Sequence, residues 1–326
     1  MDASELKRIA HRRRLDVLEM VKAAGTGHIG GSMSCMDILV CLYYEAMDAR
    51  KILARDEGRD RFILSKGHCA EALYAVYADL GLIPKEALGT YAAFGTILAE
   101  HPSMKVSGVE AATGALGHGL SIGVGMALGL RADGRRARVY VLMGDGELAE
   151  GSVWEAAMSA AKYGLDRLVA IIDRNRLQIS GDTEDIMPLE SLPEKFRAFG
   201  WDVRACDGHD PASICAALAW NSADASGVAG AASATGVAGA IGAAGAAGAT
   251  GATGVAGASG AAGTAGVTST AGAIGAAGAG RPLAIIARTI KGYGSKVTEN
   301  KAGWHHLVPS DEEYRQIKAD LEAKAG

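Results

Sequence analysis

The sequence predicts an α/β fold: a parallel sheet with helices on both faces, interrupted by one low-complexity insertion. Two observations predict it. Short apolar runs alternate with helix-patterned stretches of about ten to fifteen residues, the order that βα units impose. The runs also stop at turns rich in glycine and acidic side chains, and parallel sheets bind ligands beyond such strand ends.

The elements follow in chain order. Leu6, Ile9, Ala10, Val17, Met20, Val21 and Ala24 recur at helical spacing, so a helix runs from about Ser4 to Ala24 and stops at Gly25. The basic run His11-Arg12-Arg13-Arg14 lies inside that helix and is expected to be a solvated face rather than a partner site. After the glycine-rich turn from Gly25 to Gly31, Ser34 with Asp37 three residues on reads as an N-cap leading into Ile38, Leu39, Leu42 and Tyr43. Arg61 to Ser65 reads as a short strand, and the chain after His68 as a helix stopped by Gly81. A helix from Gly119 to Arg131 is followed by a strand from Arg138 to Met143, then a helix from Gly151 to Tyr163. Leu168 to Asp173 forms a second buried strand, Pro211 to Trp220 a helix, and Ile285 and Ile286 belong to a late strand. The polar residues after His305 read as a terminal helix.

The chain has 326 residues and 45 glycines, 17 of which fall in the uncharged stretch 225–280. Removing that stretch leaves about 270 residues, enough for one sizeable α/β core. From Gly227 to Gly278 every third position is glycine except Ser233 and Ser269, yet the stretch contains no proline. A Gly-X-Y tract without imino acids lacks the stiffness of a collagen helix, and its small side chains bury too little surface to offset chain entropy. We therefore expect residues 1–222 and 281–326 to form one domain, with 223–280 a disordered insertion in a surface loop. A net charge of −4 leaves no electrostatic footprint for nucleic acid. No apolar run approaches the roughly 20 residues of a membrane span, and the N-terminus lacks the pattern of a signal or transit peptide. Five cysteines without a CxxC pair suit free thiols in a reducing, cytoplasmic setting.

The most informative stretch is Val141-Leu142-Met143-Gly144-Asp145-Gly146-Glu147, where an apolar run ends at a carboxylate between two glycines. Bare backbone and the start of a helix favour a phosphate there, but Asp145 would repel it unless a cation lies between. A hard divalent ion takes oxygen from carboxylate and phosphate together. The next strand end supplies further oxygens: the Asn175 amide and the Leu177 carbonyl. Asp145, Asn175 and Leu177, two phosphate oxygens and a water would complete an octahedron.

Gly144-Asp145-Gly146 followed by Asn175 resembles the thiamine diphosphate signature. Other stretches resemble transketolases: Thr26 to Met33, Leu64-Ser65-Lys66-Gly67-His68, Glu100-His101-Pro102, Gly108 to Gly119, Lys291-Gly292-Tyr293-Gly294 and Trp304-His305. The chain is similar to the N-terminal, diphosphate-binding part of that family, in the form made as a separate subunit. The resemblance implies a thiamine diphosphate-binding fold, with thiamine diphosphate and Mg²⁺ (or Ca²⁺) as cofactors and Asp145, Asn175 and the Leu177 carbonyl on the metal. It places His68 and Gly146 on the diphosphate, Gly114 and Leu116 along the thiazolium and pyrimidine, and His28, His101 and His305 around the sugars. Glu150 would belong to an acidic path between paired active sites. Ile29, Cys69, His118 and His306 depart from the family pattern and bear on substrate choice more than on cofactor binding.

The implied activity is two-carbon ketol transfer between sugar phosphates, as in pentose phosphate metabolism. In this family the glutamate at the cofactor's pyrimidine and the arginines gripping the sugar phosphate come from the next domain. The expected partner is therefore a C-terminal transketolase subunit in an α2β2 heterotetramer. Two rival readings are a deoxyxylulose-phosphate synthase-like thiamine enzyme, and a non-catalytic scaffold displaying the Gly-X-Y repeat.

Overall fold

A computed structural model describes residues 1–219 and 280–326. The Gly-X-Y tract, from Gly227 to Gly278, lies outside the described residues. The main sheet has five parallel strands: β1 (Arg61–Leu64), β2 (Val139–Gly144), β3 (Leu168–Arg174), β6 (Asp202–Asp207) and β7 (Leu283–Arg288). Their order is β1-β2-β3-β7-β6, and β4 (Leu177–Gln178) with β5 (Gly181–Asp182) forms a small antiparallel ribbon beyond β3.

Helices cover both faces. In chain order they are α1 (Ala3–Ala24), α2 (Ile29–Cys41), α3 (Ala49–Leu53), α4 (Ala70–Asp79), α5 (Gly119–Ala132) and α6 (Gly151–Lys162). Four more follow: α7 (Thr183–Ile186), α8 (Leu192–Ala198), α9 (Pro211–Leu218) and α10 (Asp311–Ala325). The period-two alternation of strand side chains divides the core. Phe62, Leu64, Tyr140, Leu142, Val169, Ile171 and Ile285 face α1, α2, α4, α9 and α10. Ile63, Val139, Val141, Met143, Ala170, Ile172 and Ile286 face α5, α6 and α8. Gly123 lets α5 press onto the sheet, since a Cβ there would lie 2.7 Å from a Val141 methyl.

Two local expectations are corrected, one is refined, and one strand was not expected. Ser34 is not an N-cap: α2 already starts at Ile29, and the Ser34 hydroxyl reaches the Gly31 carbonyl and Asp173 from inside the helix. The run His11-Arg12-Arg13-Arg14 is not a solvated face, because only Arg12 is exposed. Arg14 is fully buried against Asp37, and Arg13 pairs with Asp16 and Asp79. The α6 helix begins at Gly151 as expected, but a 3₁₀ turn over Gly146–Ala149 separates its N-terminus from the Asp145 turn. Strand β6 has no counterpart among the expected elements, its alternating sequence DVRACD being largely polar and partly exposed.

Candidate functional site

The carboxyl ends of β1, β2, β3 and β7 converge, and the chain places a polar group at each. After β1 comes Lys66, after β2 Asp145, at the end of β3 Asp173 and Asn175, and after β7 Thr289 and Lys291. All but Thr289 are buried. Lys66 donates to Asp173 and to the Gly31 carbonyl. Burial alone would lower the Lys66 ammonium, but Asp173 outweighs it and holds it well above its ordinary value. Thr289 and Ser34 also donate to Asp173, so that carboxylate is fully engaged beneath the site.

Asp145 stands differently. Its Oδ1 accepts from the Gly146 N–H at 2.8 Å; its Oδ2 takes Arg174 Nη1 at 2.8 Å, the Arg176 N–H at 2.6 Å and the Thr183 hydroxyl at 3.3 Å. Arg176 adopts a left-handed φ of 65° where its N–H meets Asp145, a conformation that non-glycine residues adopt rarely. Burial lifts the Asp145 carboxyl above its usual range; Arg174 opposes this and Asp173 adds to it. Asn175 Oδ1 accepts from the Leu177 N–H at 3.0 Å, and the Leu177 carbonyl accepts from Lys291 Nζ at 3.2 Å.

Lys291 is the telling group. It is 1% exposed, among the described residues its Nζ hydrogen-bonds only the Leu177 carbonyl and His305 Nδ1 (2.9 Å), and burial lowers its ammonium to about 8. Among the described residues no carboxylate lies within ion-pair reach of it. The buried Gln178 Oε1 has no hydrogen-bond partner among those residues, and it lies where a Cβ on Gly146 would come within 3.3 Å of it. An uncompensated cation and a set of neutral and anionic oxygens fit a divalent metal with a diphosphate. Asp145 Oδ1 keeps a free lone pair for the metal, and the diphosphate would supply the charge Lys291 lacks.

Imidazoles roof this floor. His28 lies 5.2 Å from His68, 6.2 Å from His101, 5.5 Å from His305 and 4.5 Å from His306, ring centre to ring centre. His68 and His305 are 5.1 Å apart. Burial, with the neighbouring rings, lowers His28 to about 4, and burial with the Lys291 charge lowers His305 to about 3; His101, more open to solvent, is lowered for the same first reason. These rings are therefore neutral at pH 7. Beneath His28, the buried Glu71 accepts from the His28 N–H at 2.6 Å, Ser32 at 2.9 Å and Tyr91 at 2.7 Å, and burial lifts its carboxyl to about 7.

Glycine lets these parts approach. Gly114, at φ 145°, sits where a Cβ would lie 2.8 Å from the His101 ring. Leu116 is half-buried just beyond, its carbonyl accepting from His118 Nδ1 at 3.0 Å. Buried Glu147 ties the loops together by accepting from Ser65, the Gly117 N–H (2.8 Å) and the Gly144 N–H (3.2 Å). Glu150 is exposed against Gly117, apart from the histidine cluster.

The structure thus gathers His28, His68, His101 and His305 above Asp145, Gly146, Asn175 and Leu177, and leaves Glu150 at the surface. Sequence reasoning missed Lys66, Asp173, Lys291, Glu71 and Glu147. Two signals were available: Lys66 and Lys291 stand inside the transketolase-like motifs, and Asp173 closes an apolar run two residues before Asn175.

Comparison with known proteins agrees with this architecture. The family model described as "Transketolase, thiamine diphosphate binding domain" matches residues 5–275. An apulose-4-phosphate transketolase subunit of Phocaeicola vulgatus is 39% identical over 98% of this chain and 94% of its own length. The 6-deoxy-6-sulfo-D-fructose transketolase subunit SqwG of a Clostridium species is 35% identical over 98% of this chain and 96% of its own. Among solved structures, transketolase from Campylobacter jejuni superposes with a TM-score of 0.72 at 25% identity, covering 99% of this chain and 43% of that one. Transketolase from Pichia stipitis, at 23% identity and a TM-score of 0.73, shares the fold over 98% of this chain and 41% of its own. The chain spans about two fifths of those solved transketolases and nearly all of the two subunits. It belongs to the transketolase family and carries that family's thiamine diphosphate-binding domain.

Proposed function

We propose that the chain is the cofactor-binding subunit of a two-chain transketolase that moves a two-carbon ketol unit between sugar phosphates. The observation that carries this reading is the buried, uncompensated Lys291 beside three oxygen donors and under a roof of imidazoles. Two relatives similar over nearly their whole length bear the name of transketolase subunits, which supports a partner chain.

When bound, thiamine diphosphate supplies the carbon nucleophile and electron sink that the C–C chemistry needs. The chain's own residues do the rest. Asp145, Asn175 and the Leu177 carbonyl would hold Mg²⁺, with His68, Gly146 and Lys291 toward the diphosphate, and Gly114 and Leu116 along its rings. Because His28, His101 and His305 are neutral, they can orient sugar hydroxyls and accept protons from them, or return them, without adding charge to the pocket. Glu150, exposed on this chain, would meet another subunit. A C-terminal subunit would contribute the pyrimidine's glutamate and the phosphate-gripping arginines, in an α2β2 assembly. All five cysteines are free, which goes with a reducing, cytoplasmic setting.

The test is complementation. The purified chain with Mg²⁺ and thiamine diphosphate should transfer nothing from a ketose phosphate to an aldose phosphate, and adding the partner subunit should restore transfer. Transfer by this chain alone, free of partner, would overturn the proposal.

A further inference from the structure

We propose that His28, Glu100 and His306 form a binding site for a zinc-class divalent cation at the mouth of the histidine cluster. Their ligand atoms all lie within 4.8 Å of one another. His306 Nε2 and Glu100 Oε2 are 3.6 Å apart. A tetrahedral zinc ion with bonds of about 2.0–2.2 Å sets its ligands roughly 3.3–3.6 Å apart, so this pair already has the required spacing. Only the His28 ring must draw closer, and its buried Nδ1 has no hydrogen-bond partner among the described residues. The Thr26 hydroxyl donates to Glu100 Oε1 at 3.2 Å and steadies that carboxylate, while its 3.3 Å contact with His306 Nε2 is one the metal would replace.

Two imidazoles and a carboxylate make an open three-ligand zinc site, with water in the fourth position. Imidazole nitrogen suits zinc, cobalt, nickel or copper, whereas magnesium prefers oxygen. This site therefore differs in metal class from the oxygen donors around Asp145. The metal would take the His28 ring that the proposed ketol transfer uses; that consequence rests on the function proposed above, and the binding itself does not.

The probe is Co²⁺, followed by visible absorption on the full chain in saturating Mg²⁺. We expect one Co²⁺ per chain with the intense bands of a four- or five-coordinate ion, displaced by Zn²⁺. His306→Ala and Glu100→Gln should each weaken uptake by at least the roughly tenfold that losing even an outer-shell partner costs. His306 is exposed, so its removal should leave the circular dichroism unchanged. Absence of uptake by the unmodified chain at millimolar Co²⁺, or equal uptake and spectra in both variants, would overturn the proposal.

Discussion

Two buried arginine–aspartate pairs, Arg14–Asp37 and Arg174–Asp145, share a geometry and differ in what surrounds them. Asp37 is fully buried between Arg14, His209 (2.9 Å) and Lys7 (3.2 Å). Burial would raise its carboxyl, but those three groups hold it well below the usual range. Asp145 shares its arginine with Glu184 and Glu190, lies close to the charge of Asp173, and is raised rather than lowered. The first carboxylate is saturated with positive charge and serves the fold. The second is left short of it, which is the condition for binding a cation.

Breaking the saturated pair should have the largest effect. Asp37→Ala leaves Arg14 buried with the Met33 carbonyl and the Tyr293 ring but no counter-charge, a loss of about 3–5 kcal/mol of stability by analogy with other broken buried pairs. Chemical denaturation would read this directly; a change under about 1 kcal/mol would mean that Arg14 finds water or another partner.

Asp145→Ala should do the reverse. Arg174 keeps Glu184 and Glu190, so the midpoint of unfolding should move little, while Mg²⁺-dependent binding of thiamine diphosphate disappears from calorimetric titrations. Unchanged metal-dependent affinity would remove Asp145 from the proposed site. Asn175→Ala should be milder, because water can replace a neutral oxygen.

Lys291→Met sharpens the contrast from the cationic side. Removing a buried charge that lacks a counter-ion should leave the unliganded chain as stable or slightly more so. Diphosphate affinity should nevertheless fall by roughly one to two orders of magnitude, the worth of a charged hydrogen bond of about 1.5–3 kcal/mol. Equal affinity in the variant would show that Lys291 answers to something else.

The smallest expected effect is on acid stability. His11 is buried, its Nδ1 lacks a partner among the described residues, and burial with the Arg14 charge lowers it to about 3. Its unfolded form takes up a proton near pH 6.5 while the folded form stays neutral, so stability falls as pH drops from about 6.5 toward 3. His28 and His305 act in the same direction, and Glu71, raised to about 7, opposes them. His11→Gln should therefore lose less thermal stability than the unmodified chain between pH 7.5 and 5.5. Parallel losses would remove His11 from that balance.

Much of this was legible in the sequence because it is local. Strands β1, β2 and β3 announce themselves as unbroken apolar runs, and Asp145 and Asn175 sit at their ends. What stayed hidden is whatever depends on distant partners. Nothing near Arg14 in sequence says that Asp37 will bury it, nor does Lys66 reveal Asp173, 107 residues on. The misjudged basic run in α1 and the unseen strand β6 share that cause: charge and polarity suggested exposure, and tertiary pairing overruled them. The histidines were found by motif, but the lowered pKa values of His28, His101 and His305 come first from a burial that no motif states.

Strand β7 lies between β3 and β6 in the sheet, though it follows β6 in the chain. During synthesis, β6 leaves the ribosome before its partner exists, since among the described residues it pairs only with β7. At about 5–20 residues per second, the roughly eighty residues to the end of β7 take on the order of 4–16 s. Through that interval the edge of β3 stays open, and Thr289 and Lys291 have yet to be made. Any sheet that β1, β2 and β3 form in that window keeps a hydrophobic edge open, something a chaperone could hold.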